Sequence, residues 1–198
     1  MILTFTTARD GTLAKLRVDP DLVWQVLDPE GFDDEAPHGP PASIWSKLVG
    51  HAPPAPPPPV PRLLLQEGEG ESFDVDKAWH GLHFLLTGTD FEGPWPACFI
   101  CKGGYELEDG DNGYGPPRLL SASQVQEVSG HLDRTSDESL RTAFDPEAMS
   151  KLDIYPDIWI SDPEDDDTLD YLMVHMEGLR TFVRNTSAHG LGLIIDLG

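Results

Sequence analysis

DVDKAWHGLHFLLTGT, residues 74–89, decides how the chain is read, because it combines a helical apolar pattern with an unusual supply of titratable side chains. At about 100° per residue, Val75, Trp79, Leu82 and Leu86 share one helix face, which must be the buried one. Asp76, His80, His83 and Thr87 repeat the same spacing one residue around and form a second, polar stripe beside it. Lys77 lies further round and faces solvent. The reading predicts a helix capped at Asp74 and ending at about Thr87, with Gly88 in the glycine position that follows a helix. A polar stripe flanking a core stripe sits at the margin of the interior, where histidines either bond to neighbouring backbone or line a cleft.

Working toward the N-terminus, ILTFTT (2–7) and LAKLRV (13–18) flank Asp10-Gly11, which suggests two strands joined by a tight turn. Asp19 and Pro20 open a short helix with Leu22, Val23, Val26 and Leu27 inward. The pattern then collapses. Ten of the 19 prolines fall between Pro37 and Pro61, a composition that suits a polyproline-II run and excludes helix interior or sheet. Residues 31–70 read as an insertion with a stiff linker, holding at most a short helical piece at SIWSKLV (43–49).

Toward the C-terminus the local signals are stronger. PACFICKGG (96–104) is apolar and ends in a glycine pair, and residues 104–117 form a turn-rich acidic loop before an extended piece at Arg118–Leu120. Ser121 and Gln124 fit a capping box, with Val125, Val128 and Leu132 on one helix face. Ser136 and Asp145-Pro146 start two further short helices. The longest helix follows Asp162-Pro163, with Leu169, Leu172, Met173, Met176, Leu179 and Val183 inward and Gly190 beyond its end. LGLIIDL (191–197) is apolar enough for a strand inside a sheet. The expected fold class is therefore α+β: a single domain, with helices packed on a small mixed sheet built from N-terminal and C-terminal strands.

Composition limits the function. Within 198 residues, 39% hydrophobic residues and 19 glycines support one packed core. Thirteen basic residues against 35 acidic ones give a formal net charge of −22, which repels phosphate backbones and anionic membranes and attracts a basic protein or cationic ligand. No apolar run reaches the ~18 residues of a membrane span, and MILTFTTARD lacks the layout of a signal peptide, so a cytoplasmic location is expected. No phosphate-loop, dinucleotide, zinc-protease or kinase signature is present, which gives no reason to expect a cofactor.

The second half resembles the YfbM-like family, a bacterial domain family of unknown function. The resemblance rests on DVDKAWHGLHFLLTG (74–88), Gly103-Gly104 before the acidic loop, GYGPPR (113–118), SLRTAFDPEAM (139–149), IYPDIW (154–159) and the long helix with its closing strand. It covers residues 72–198 well and the first 27 loosely, with the proline-rich stretch as an addition. It implies a small intracellular α+β domain and supplies no reaction.

His80-x-x-His83 and Cys98-x-x-Cys101 have the count of a tetrahedral zinc site. The apolar context of the cysteines reads as packed core, so no metal is assigned. The candidate ligand-binding set is Asp76, Trp79, His80, His83 and Thr87 from the helix, with Tyr114 and Arg118 from the rigid GYGPPR loop. Arg118 either pairs with a local carboxylate or receives an anionic group. The pattern favours a non-enzymatic acidic domain that binds a basic protein, as an inhibitor- or immunity-like partner. The alternative is a small-ligand pocket, or a hydrolase or transferase site, centred on the 74–88 helix and the 113–118 loop.

Overall fold

The computed structural model describes residues 1–29, 62–108, 113–160 and 167–198. The expected helical piece at 43–49, the polyproline run, the middle of the acidic loop and most of the PEDDD stretch (163–167) lie outside the described residues.

The strands are β1 (Leu3–Ala8), β2 (Ser72–Asp74), β3 (Tyr105–Glu106), β4 (Arg118–Leu120) and β5 (Gly192–Leu197). They form one sheet in the order β2-β1-β5-β4-β3. The α+β class is as expected, but every pairing is antiparallel, so the sheet is not mixed. β5 lies at its centre, and its run GLIIDL is apolar because both faces are covered. Leu193 and Ile195 join Leu3, Phe5 and Leu120 in the larger core. Ile194 turns the other way, with Ala8 and Leu119.

The second face is covered by α1 (Asp10–Val18), a 3-10 turn at Pro20–Val23 and α2 (Trp24–Leu27). The expected strand at 13–18 is thus a helix. Leu13 and Leu16, three apart, are buried, whereas Val18 is 87% exposed, so the apolar positions follow the helical period and not the alternation of a strand. Gly11 is also absent from the residues with positive φ that a two-residue hairpin turn demands. Both edges of β1 are already occupied, by β2 and β5.

The first face carries the thicker layer: α3 (Trp79–Thr87), α4 (Ala122–Arg134), α5 (Asp137–Ala143), α6 (Pro146–Lys151) and α7 (Thr168–Ala188). The starts of α4, α5 and α6 follow the predicted cap chemistry. Ser121 and Gln124 form a reciprocal capping box, Ser136 accepts from the Ser139 N–H, and Asp145 accepts from the Ala148 N–H. Asp10 adds a cap from a distance, accepting from the Ala122 N–H at 2.9 Å and so tying α1 to α4.

α3 runs through the middle of this layer, and its first turn is a separate 3-10 segment, Asp76–Ala78. Asp74 ends β2 and accepts from the Asp76 N–H, so its capping role falls on that turn. All residues from Trp79 to Leu85 are buried. Gly81 explains how such a helix fits: a Cβ there would lie 2.6 Å from the Trp159 ring and 2.8 Å from a Leu172 methyl. The Trp159 indole cannot swing aside, because its N–H donates to the Ile154 carbonyl. Gly81→Ala therefore overpacks the core. It should destabilise the fold by about 1–3 kcal/mol despite alanine's better helix propensity. Urea unfolding checks this, and equal or greater stability of the variant would show that the contact is loose.

Candidate functional site

The two histidines of α3 are buried, at 2% and 0% exposure, deeper than a margin position. Irregular chain crosses over the polar stripe and supplies their partners. His80 Nδ1 accepts from the Tyr155 N–H at 2.9 Å. That leaves Nε2 to carry the proton, and Nε2 donates to the Asp90 carbonyl at 2.9 Å. Trp79 stacks on the His80 ring at 4.7 Å and on Tyr155 at 5.9 Å, and Phe91 packs against His80 at 4.6 Å. His83 Nε2 donates to the Glu92 carbonyl at 3.0 Å, while its Nδ1 is buried without a partner among the described residues.

Burial pushes both imidazoles toward the neutral form. For His83 it outweighs the opposing bond to Glu92 and lowers the pKa to about 4. For His80 the shift is also downward, again from burial. These are structural fasteners between α3 and the segments at 88–93 and 153–157, and three of their four ring nitrogens bond to main chain.

The other helix candidates diverge. Asp76 faces α7 and accepts from the Tyr171 hydroxyl at 3.1 Å. Burial and this carboxylate push the Tyr171 phenol up to about 12. Thr87 donates to the His83 carbonyl one turn back. Among the described residues no group of three His, Cys, Asp or Glu side chains stands close enough to share a metal ion. Cys98 and Cys101 are free thiols in the 3-10 segment Ala97–Ile100 and its end, and burial raises the Cys101 thiol to about 12.

Trp79, Tyr114 and Arg118 do converge. They line one cavity of about 220 Å³ with Leu3, Phe91, Ile100, Cys101, Glu106, Gly115, Pro116, Ile195 and Leu197. The sheet register builds its floor. Phe5, Ile195, Arg118 and Glu106 are successive cross-strand partners on β1, β5, β4 and β3, so their side chains lie in one row on one face. Trp79, Phe91 and the 113–116 loop supply the walls.

Arg118 is 8% exposed and, among the described residues, pairs with carbonyls and not with a carboxylate. Its Nη1 donates to Phe99 at 3.0 Å and Gly103 at 3.1 Å, and its Nη2 to Ile100. Three carbonyls fix the guanidinium without neutralising it. Gly104, at φ +83°, lets the chain pass beneath: a Cβ would meet the Leu119 carbonyl at 2.6 Å. Phe91 and Glu106 carry no sequence signal for this site, and Cys101 stood out only through the Cys98-x-x-Cys101 spacing; their convergence depends on strand register and on the path of the 88–93 loop.

The sequence model of the domain of unknown function DUF1877 matches residues 1–195. The chain belongs to that family. Protein YfbM of Escherichia coli strain K12 is 30% identical over 123 residues, which span 59% of this chain and 71% of that protein. The crystal structure of YfbM from Escherichia coli, described there as a protein of unknown function, superposes with a TM-score of 0.62. At 21% identity and 98% coverage of both chains, it supports the same fold. The YfbM-like resemblance of the motifs is thereby established. The family carries no assigned reaction, and among the described residues no helix is long and apolar enough to cross a membrane.

The imidazole geometry has a consequence for stability. An unfolded histidine takes up a proton near 6.5 and folded His83 only near 4. Between those values the unfolded chain binds more protons, so this contribution to stability falls as pH drops through the window. Relative to a His83→Gln variant, the parent chain should lose up to about 3 kcal/mol between neutral pH and pH about 4. Parallel pH profiles in chemical denaturation would contradict the assignment.

Proposed function

We propose that the protein is a non-catalytic binding domain whose acidic surface engages a basic protein, in the manner of an inhibitor or immunity partner. The observation that carries this reading is the pairing of two exposed aromatics with a carboxylate around one cavity. Phe91 is 47% exposed and Tyr114 56%, both at the cavity, with Glu106 beside them. On the opposite face of the sheet, Tyr105 is 46% exposed and holds the Arg17 guanidinium over its ring at 4.9 Å, a contact of the same kind. Aromatic rings flanked by acids suit lysine and arginine side chains of a partner. A net charge of −22 steers such a partner over longer range. The use of His80 and His83 as neutral main-chain fasteners favours binding over acid-base chemistry.

A second reading, that the cavity itself receives a small ligand, is favoured by a separate observation: Trp79, Tyr114 and Arg118 line a single half-open cavity. The histidines lie outside its lining, which favours binding there over hydrolysis or group transfer.

Affinity capture from cells that carry the protein, run at low and high salt, tests the first reading. A basic protein should be retained at low salt, released as salt rises, and lost from a Phe91→Ser, Tyr114→Ser double variant. Empty capture at low salt, or retention indifferent to both salt and the variant, would defeat it.

A further inference from the structure

The cavity is lined by two opposite charges that do not neutralise each other directly. Glu106 and Arg118 are cross-strand partners, so their side chains lie on the same face of adjacent strands. Their attraction acts through space, without an ion pair between them. Arg118 spends three N–H groups on the Phe99, Gly103 and Ile100 carbonyls. Its Nε–H and one Nη2–H have no partner among the described residues. A buried guanidinium held only by neutral acceptors lacks a counter-charge. Trp79, 5% exposed, also lines the cavity, and its indole N–H is buried with no hydrogen-bond partner among the described residues. The Arg118 Nε–H, unlike the indole N–H, is not a buried orphan, so it is the donor open to a ligand acceptor.

The remaining walls are apolar: Leu3, Ile100, Ile195 and Leu197, with the faces of Trp79 and Phe91. At about 220 Å³ the space lies below the range of pockets for drug-sized molecules. The occupant is therefore small. A simple anion would meet the repulsive field of a chain with net charge −22, whereas a molecule carrying both charges has no net penalty.

We propose that this cavity selects a small zwitterion with an apolar side chain, of which an α-amino acid is the simplest case, its carboxylate held by Arg118 and its ammonium by Glu106, against the Trp79 ring. The inference rests on the reading of the cavity as a ligand site and is independent of any protein partner. The Cys101 thiol, kept neutral by burial, contributes packing and no charge.

Titration of the isotope-labelled full chain with L-leucine, L-leucinamide and N-acetyl-L-leucine tests both layers, with the Trp79 indole N–H resonance as the reporter. L-leucine should shift that resonance saturably, and each analogue, lacking one charge, should bind about tenfold more weakly or worse. Glu106 is exposed, so Glu106→Gln should keep the fold; it should weaken leucine binding about tenfold and leave N-acetyl-L-leucine unaffected. Equal affinity for all three probes would overturn the charge selection while leaving the cavity a ligand pocket. No saturable response to any of them would overturn the pocket itself.

Discussion

The arrangement depends on a buried imidazole held from both sides. His80 accepts a hydrogen bond from the Tyr155 N–H and donates one to the Asp90 carbonyl, so a single neutral ring satisfies two main-chain groups of irregular segments. Buried backbone groups without partners are costly, and the imidazole supplies partners for the Tyr155 N–H and the Asp90 carbonyl, which lie outside strands and helices. His83 repeats the device toward Glu92. The segments so fastened bring Phe91 and Tyr155 against Trp79 and His80, and Trp79 and Phe91 are walls of the cavity. The shape of the cavity thus follows from a hydrogen-bonding requirement several residues away from it.

Much of the helical layer was legible because its signals are local. The capping box at Ser121 and Gln124, the caps at Ser136 and Asp145, and the long apolar stripe ending before Gly190 are each settled within a few residues of sequence. The strand at 192–197 was legible from its apolar run. The segment 13–18, expected as a strand, is helical because the three-residue spacing of Leu13 and Leu16 outweighs the turn signal of Asp10-Gly11. The direction of the strand pairings was not accessible either, since it depends on how connections distant in sequence return across the sheet.

Of the candidate site residues, Trp79, Tyr114 and Arg118 come together, while Asp76, His80, His83 and Thr87 serve neighbouring backbone or α7. A helical wheel locates a side chain around one axis and is blind to what crosses above it. The chain at 88–93 closes over the polar stripe and converts a margin into interior. Glu106 was hidden for a different reason: only the register of β3 on β4 sets it opposite Arg118. Charge operates here on two scales. The overall excess of carboxylates attracts cationic partners from a distance, while at contact range one buried guanidinium, fixed by three carbonyls, sets the chemistry of the cavity.

The most direct measurement is the protonation and tautomeric state of the two imidazoles in the folded chain, read from long-range proton–nitrogen correlations of the ring nitrogens at neutral pH. The account predicts neutral rings for both, protonated on Nε2, with the His80 Nδ1 shifted by an accepted hydrogen bond. A ring protonated on Nδ1, or a charged imidazolium at either position, would contradict it.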